Sequence, residues 1–365
     1  MKQNKGLNLF ISYSHQDEKP YIEEFKKHLA PLRDNGWVED WYDRKILPGE
    51  DYQSKINNNL EDANIICLFI SPNFLSSENC KKEKKRALEL RRKKRVSVIP
   101  IILSPCGWRD DEDISKLLAL PTDGKPVSSF QNKDEGWLDI YNGLKRVIQK
   151  EIKIKQLRVK EEFEKFLQDT ELLIKAHPQK ERVLLDDIFV HLELDKYDEL
   201  KEYEGKISTK ELLENIIDYP KIVISGEDQS GKTTLCKIIF NELRERNFVP
   251  VYICVKRNRL EGKIEGRIAK AFQEQYEGVN ISEISQERIV LIIDDFHHAK
   301  KKEKHLNDLD IYPHCIIIVD DVFSLNIKDK KLIEPFSHFR INELKPSLRY
   351  KLIKKWVSLR DREIR

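Results

Sequence analysis

The six cysteines of this 365-residue chain form no CxxC pair and no cluster. Disulfide frameworks and structural zinc sites need recurrent, closely spaced cysteines, so neither organises this fold. Cys67, Cys254 and Cys315 lie inside apolar runs and read as packed, reduced thiols. Long hydrophobic stretches are also missing. The longest, from Asn64 to Ile70 and from Val96 to Leu103, fall far short of the about 20 residues that span a bilayer. The N-terminal MKQNKGLNLF has no apolar signal region, so a cytoplasmic protein without membrane association is expected. Charge of one sign is not in excess either. Against 66 basic residues stand 63 acidic ones, a net +3 too small for a globally cationic nucleic-acid binder. No repeat period is visible.

What is present is enough apolar material (39%) for real cores beneath a highly charged (35%) surface. The length suits two or three domains at roughly 150 residues each. Residues 1–150 alternate short apolar runs with amphipathic stretches, the pattern of a parallel α/β sheet. Strands are expected at Leu7 to Tyr13, Trp37 to Tyr42, Asn64 to Ser71, Val96 to Leu103 and Pro126 to Phe130. Helices are expected at Asp51 to Ala63, Ser77 to Lys93 and Gly136 to Ile148. Residues 151–205 are charge-dense and read as a helical connector, with Tyr197 to Glu204 acidic and exposed. A second α/β unit fills 206–345, with strands at Lys221 to Ser225, Val249 to Val255, Ile289 to Ile293, Cys315 to Val319 and Phe339 to Leu344. Residues 346–365 begin a further helical segment that reads as truncated.

The most specific motif is Gly226-Glu-Asp-Gln-Ser-Gly231-Lys232-Thr233-Thr234. It satisfies G-x-x-x-x-G-K-[ST] and lies between an apolar strand and a helix, the context that a phosphate-binding loop requires. Glycines let the backbone turn its N–H groups on phosphate oxygens, and the helix N-terminus adds partial positive charge. Lys232 is the residue to reach the β- and γ-phosphates, and the Thr233 hydroxyl the one to ligate Mg2+. A second half is also present. Ile289-Val-Leu-Ile-Ile293 runs into Asp294 and Asp295, the form of a Walker B strand, with Asp294 for the metal and Asp295 to position an attacking water. ATP or GTP with Mg2+ is the expected cofactor. His297 and His298 read as a solvated helix start.

This half, about 206–365, resembles the STAND class of signalling NTPases (NACHT and NB-ARC-like switches). Leu344-Lys345-Pro346 is distantly similar to the proline motif that meets adenine in that class. Where the class often carries a sensing arginine after the strand beyond Walker B, this chain has Asp320-Asp321. The γ-phosphate sensor is therefore unidentified, and slow turnover is implied.

Residues 7–150 resemble the Toll/interleukin-1-receptor (TIR) family through three segments in family order. They are Leu9-Phe10-Ile11-Ser12-Tyr13-Ser14; Trp41-Tyr42-Asp43-Arg44-Lys45-Ile46-Leu47-Pro48-Gly49-Glu50; and the run from Ser71-Pro72-Asn73-Phe74 through Cys80 to Glu83. The resemblance implies a flavodoxin-like parallel sheet. In NAD-cleaving members it also implies that Glu83 is the catalytic carboxylate and that Ser14, His15, Trp41 and Asp43 bind NAD+ as substrate. Breaking the nicotinamide–ribose bond develops positive charge, which a carboxylate stabilises. The residues themselves leave another reading open. Ten of the fifteen residues from Lys81 to Arg95 are basic, so Glu83 could instead pair with Lys82, Lys84 or Arg86 on a solvated helix face. That basic run lacks interleaved aromatics and does not read as a nucleic-acid site.

The combined expectation is a TIR-type NAD+ nucleosidase controlled by a nucleotide-binding, self-associating switch. The layout resembles bacterial anti-phage defence proteins whose trigger or sensor partner is not legible here. The competing expectation is a TIR scaffold that binds other TIR domains through Asp43 to Glu50 without cleaving NAD+. An ATPase motor with an unrelated first domain is disfavoured by the TIR-like segments.

Overall fold

The computed structural model describes residues 6–45, 47, 49–170, 177–198, 202–258, 260, 263–320 and 327–359. Ile46 and Pro48 of the second TIR-like segment, 199–201 of the acidic stretch, Asp321 and the chain beyond 359 lie outside the described residues. The chain divides into two compact units, 1–156 and 157–365.

In the first unit the strands are β1 (Leu7–Ser12), β2 (Val38–Trp41), β3 (Ile65–Ile70) and β4 (Ser97–Ile102). The helices are α1 (Glu23–Asp34), α2 (Tyr52–Glu61), α3 (Pro72–Ser76), α4 (Glu78–Lys94) and α5 (Lys133–Gln156). All strand pairs are parallel, in the order β2-β1-β3-β4. A parallel sheet is covered on both faces, so its strands read as continuous apolar runs. The IICLFI of β3 is buried throughout. Alternate residues feed two cores. Leu9, Ile11, Cys67 and Phe69 pack with Phe25 of α1 and Trp137 of α5, while Phe10, Ile66, Leu68 and Ile70 pack with Ile56 of α2 and Ala87 of α4. The chain leaves β1 for β2 on one side and returns to β3 on the other. This topological switch opens a crevice beyond the carboxyl ends of β1 and β3.

One expected strand is absent. Val127–Ser129 forms a 3-10 turn, because Pro126 has no N–H to give to a ladder. The sheet edge is met instead by Leu120, whose N–H reaches the Pro100 carbonyl and whose carbonyl takes the Ile102 N–H, both at 2.8 Å.

The second unit begins with β5 (Arg158–Val159), α6 (Glu161–Gln168), α7 (Leu185–Ile188), β6 (Glu193–Asp198), β7 (Glu202–Ser208) and α8 (Thr209–Glu214). It continues with β8 (Lys221–Ser225), α9 (Lys232–Glu245), β9 (Val249–Cys254), α10 (Val255–Asn258), α11 (Ile264–Gln275) and β10 (Tyr276–Glu277). β11 (Ile289–Asp294), α12 (Lys302–Leu309), β12 (His314–Val319), β13 (Ser337–Ile341) and α13 (Pro346–Val357) complete it. β5 pairs with β10, and the main sheet runs β7-β6-β13-β8-β12-β11-β9. From β13 to β9 it is parallel, while β6 and β7 add an antiparallel hairpin to the β13 edge.

That hairpin corrects the reading of 151–205 as a helical connector. Its solvent face carries charged side chains, including a Lys196–Glu204 pair at 2.5 Å. Among residues 193–197 of β6, Leu194 alone is fully buried. A strand whose apolar positions are so few gives almost no period-2 signal. The first helical part was legible: Phe163 and Phe166 of α6 pack on the second unit's core, with the Phe163 and Phe240 rings 5.3 Å apart. Among the described residues, no helix is long and apolar enough to cross a membrane.

Candidate functional site

Two sites form, one at the strand ends of each unit. In the first unit Ser14, His15, Trp41, Asp43 and Glu83 line a single cleft of about 270 Å³. β1 delivers Ser12 and the turn holding Ser14 and His15, β2 ends at Trp41, and the first turns of α4 carry Cys80 and Glu83. That helix starts cleanly because the Ser77 hydroxyl caps it, accepting the Cys80 N–H at 3.4 Å. Cys80 is buried, its thiol pushed up to about 11 by burial, which keeps it an inert packing residue.

Glu83 does not join the basic face of its helix. Lys84 pairs with Asp111, and Arg86 pairs with Glu61 and Glu89. Glu83 turns inward, where Ser12 Oγ donates to its Oε2 at 2.5 Å. Burial raises its carboxyl to about 7, against the Ser12 hydrogen bond, and the charge of Asp43 adds to the rise. Asp43 goes the other way. Burial pushes it up, but hydrogen bonds from Tyr13 and from His15 outweigh this and hold it below its ordinary value. The Tyr13 hydroxyl donates to Asp43 Oδ1 at 2.7 Å, the Tyr52 hydroxyl to Oδ2 at 3.3 Å, and His15 Nε2 closes on the same oxygen. Two carboxylates in one cleft are thus driven apart, one firmly anionic and the other poised near neutrality. Trp41 stacks on Phe10, ring centroids 5.1 Å apart, and gives the cleft an aromatic wall. Ser12, Tyr13 and Tyr52 were not singled out from the sequence, although Ser12 and Tyr13 stand inside the first TIR-like segment.

In the second unit the loop from Gly226 to Gly231 joins β8 to α9. A Cβ on Gly226 would come within 2.6 Å of Ser230 Oγ and 3.2 Å of Ile341 Cβ, and Gly231 has φ +92°, so both positions call for glycine. Lys232 is buried, and its ammonium donates to the carbonyls of Gly226 (2.8 Å) and Glu227 (2.7 Å). Its third partner is Asp320 Oδ1 at 2.9 Å. Thr233 Oγ1 donates to Asp294 Oδ2 at 2.9 Å, and Thr234 follows in the same first turn. The Tyr252 hydroxyl donates to that same Asp294 oxygen at 2.9 Å, a contact hidden in the sequence by the apolar run of β9. Burial raises the Asp294 carboxyl, hydrogen bonds from Thr233 and Tyr252 oppose this, and the charge of Asp295 adds to it.

A buried, destabilised carboxylate converging with a hydroxyl on one point is a hard-oxygen pair that fits Mg2+. Bound there, the ion would neutralise phosphate charge. Asp295, in left-handed backbone at φ +58°, takes the Lys256 ammonium at 3.3 Å and the Cys254 thiol at 3.6 Å. The reading of His297 as solvated is corrected: its side chain is 8% exposed and Nε2 lies 2.9 Å from Asp320 Oδ2. Phe296, fully buried in the core just before it, fixes His297 against the end of β12; His298 is exposed.

Two family models match the chain, one in each unit. The family described as TIR domain matches residues 9–138. The family described as ATPase associated with various cellular activities (AAA) matches residues 222–310. An uncharacterized protein, y4lF of Sinorhizobium fredii (strain NBRC 101917 / NGR234), is 37% identical over 134 residues. Those cover 36% of this chain and 41% of that protein, so the chain spans well under half of this relative's length. Among solved structures, the TIR domains of the activated Roq1 resistosome are 14% identical at TM-score 0.31, covering 38% of this chain and 99% of theirs. AMPPCP-bound DnaA from Aquifex aeolicus is 22% identical at TM-score 0.29, covering 42% of this chain and 51% of its own. The family matches and the strand-end geometry together identify the chain as a TIR domain joined in one polypeptide to an AAA-type P-loop ATPase domain.

Proposed function

We propose that the TIR domain is an NAD+ nucleosidase, cleaving the nicotinamide–ribose bond, and that the ATPase domain is a STAND-like switch controlling it by ATP-dependent self-association. The observation that carries the enzymatic half is Glu83. A solvated helix residue would pair with one of its basic neighbours, whereas this carboxylate leaves them for a cleft lined by Trp41, Asp43 and Ser14. A partly desolvated carboxylate is an effective stabiliser of a ribosyl cation, because its charge is not screened by water. Asp43, held anionic by Tyr13 and His15, adds negative potential to the same cleft. Trp41 offers a flat face for the nicotinamide ring. Clustering of chains through both domains would complete the TIR cleft, and an antiviral signalling role fits an enzyme that drains NAD+ only once assembled.

The test is nicotinamide release from NAD+ by the purified full chain at high concentration, with Glu83→Ala in parallel. Release that vanishes in Glu83→Ala supports the enzyme. Absence of release at every protein concentration and nucleotide condition favours the TIR scaffold.

A further inference from the structure

Asp320 stands at the end of β12, where a residue that contacts the γ-phosphate is expected, yet it is acidic. It is built into the phosphate-binding loop at two points. Its backbone carbonyl accepts the Gly226 N–H at 3.2 Å, at the start of the loop. Its side chain accepts from Lys232 at 2.9 Å, at the loop's end. An ammonium has three donors. Those of Lys232 meet two loop carbonyls and this carboxylate. The other oxygen of Asp320 faces His297 at 2.9 Å. Partial burial pushes the Asp320 carboxyl up, but the hydrogen bond from Lys232 and the charge of His297 outweigh that and keep it anionic.

We propose that Asp320 is the nucleotide-discriminating residue of this site, an anionic latch on Lys232 that disfavours a nucleoside triphosphate relative to the diphosphate. The proposal rests on nucleotide binding at the P-loop and is independent of the NAD+ reading. The loop N–H groups wrap the β-phosphate, while a γ-phosphate extends beyond the loop toward the Walker B carboxylate and shares the lysine. A γ-phosphate must therefore take Lys232 from Asp320 and set its own charge beside the carboxylate it displaces. Like charges at such separations repel, more so in a partly buried site. ADP brings less charge to this point. His297 Nε2 lies 2.9 Å from the other Asp320 oxygen, but burial holds its imidazole below its ordinary value, so it replaces little of the positive charge that the lysine withdraws.

Equilibrium binding of fluorescent mant-ADP and mant-ATP with Mg2+ to the full chain tests this, comparing wild type, Asp320→Asn and Lys232→Ala. Asparagine keeps the shape and the backbone carbonyl that holds Gly226. Asp320→Ser keeps the carbonyl too and guards against an asparagine-specific defect, with thermal unfolding confirming both folds. The expected result is a rise of about tenfold in ATP affinity relative to ADP in both variants, equivalent to about 1.4 kcal/mol. An unchanged ATP-to-ADP ratio, with both nucleotides bound and lost in Lys232→Ala, overturns the latch and leaves the nucleotide site standing. Binding of neither nucleotide by wild type and both Asp320 variants overturns the nucleotide site and the latch together.

Discussion

The two crevices occupy equivalent places in their sheets and are made in different ways. In the TIR domain, residues scattered from Ser12 to Glu83 meet because β1 and β2 end, and α4 begins, at the same crevice. In the ATPase domain, one continuous stretch from Gly226 to Thr234 forms most of the site, and β11 and β12 add the carboxylates. Both contain an acid raised by burial, Glu83 and Asp294. Asp294 is held by the Thr233 and Tyr252 hydroxyls, a hard-oxygen setting that fits a divalent cation. Glu83 has the Ser12 hydroxyl, while Lys84 of its helix pairs with Asp111 and Arg86 with Glu61 and Glu89. The comparison teaches that burial of a carboxylate alone does not name a chemistry; the partners left for it do.

The largest effect expected from breaking this comparison is at Glu83. Glu83→Gln should lower nicotinamide release by about 100-fold or more, the scale of losing one group that stabilises transition-state charge. The same change should stabilise the fold at pH 8. A carboxyl raised from 4.5 to about 7 keeps its stabilising proton at low pH and loses that stability as the pH climbs from about 4.5 through about 7. Glutamine escapes this loss, so thermal unfolding at pH 8 should show a gain of roughly 1–3 kcal/mol that disappears near pH 4. A loss of activity coupled to a gain of stability separates a functional carboxylate from a structural one.

Next in size is the exchange of roles between sites. Lys232→Ala should weaken mant-ATP binding by at least about tenfold, since a charge-assisted contact is worth about 1.5–3 kcal/mol. Glu83→Gln should leave nucleotide binding unaltered. Equal loss of nucleotide binding in both would mean that the variants report folding rather than chemistry. Asp294→Asn should reduce the Mg2+ dependence of nucleotide binding, while raising stability without Mg2+ through relief of a buried charge. Differential unfolding with and without the metal checks both signs.

The smallest effect concerns Ser12. Its hydroxyl lowers the Glu83 carboxyl, so Ser12→Ala should raise it and move the rising limb of the pH–rate profile for NAD+ cleavage to higher pH. A profile that does not move would place the titrating group elsewhere.

These contrasts also explain what the sequence disclosed. The P-loop was legible because its chemistry is contiguous, and β3 because a parallel strand is apolar on both faces. The TIR cleft was legible only through resemblance, since no local pattern brings Ser12 to Glu83. The β6–β7 hairpin was missed because charged side chains along an edge hairpin erase the period-2 signal. The turn at Val127–Ser129 was misread as a strand because an apolar run after a proline looks the same in either state. Tyr252 escaped, and Asp320 was legible only as an acid in the place of a sensing arginine, for a related reason: each acts across the sheet, through a neighbour far away in sequence.

The claim that the nucleotide site governs the TIR site is tested most directly by nicotinamide release with and without ATP–Mg2+, at one fixed protein concentration, in wild type and Lys232→Ala. The account predicts release that rises with ATP in wild type and stays at its basal level in Lys232→Ala, whose TIR cleft is untouched. Release from NAD+ that is the same with and without nucleotide, and the same in both proteins, would contradict it.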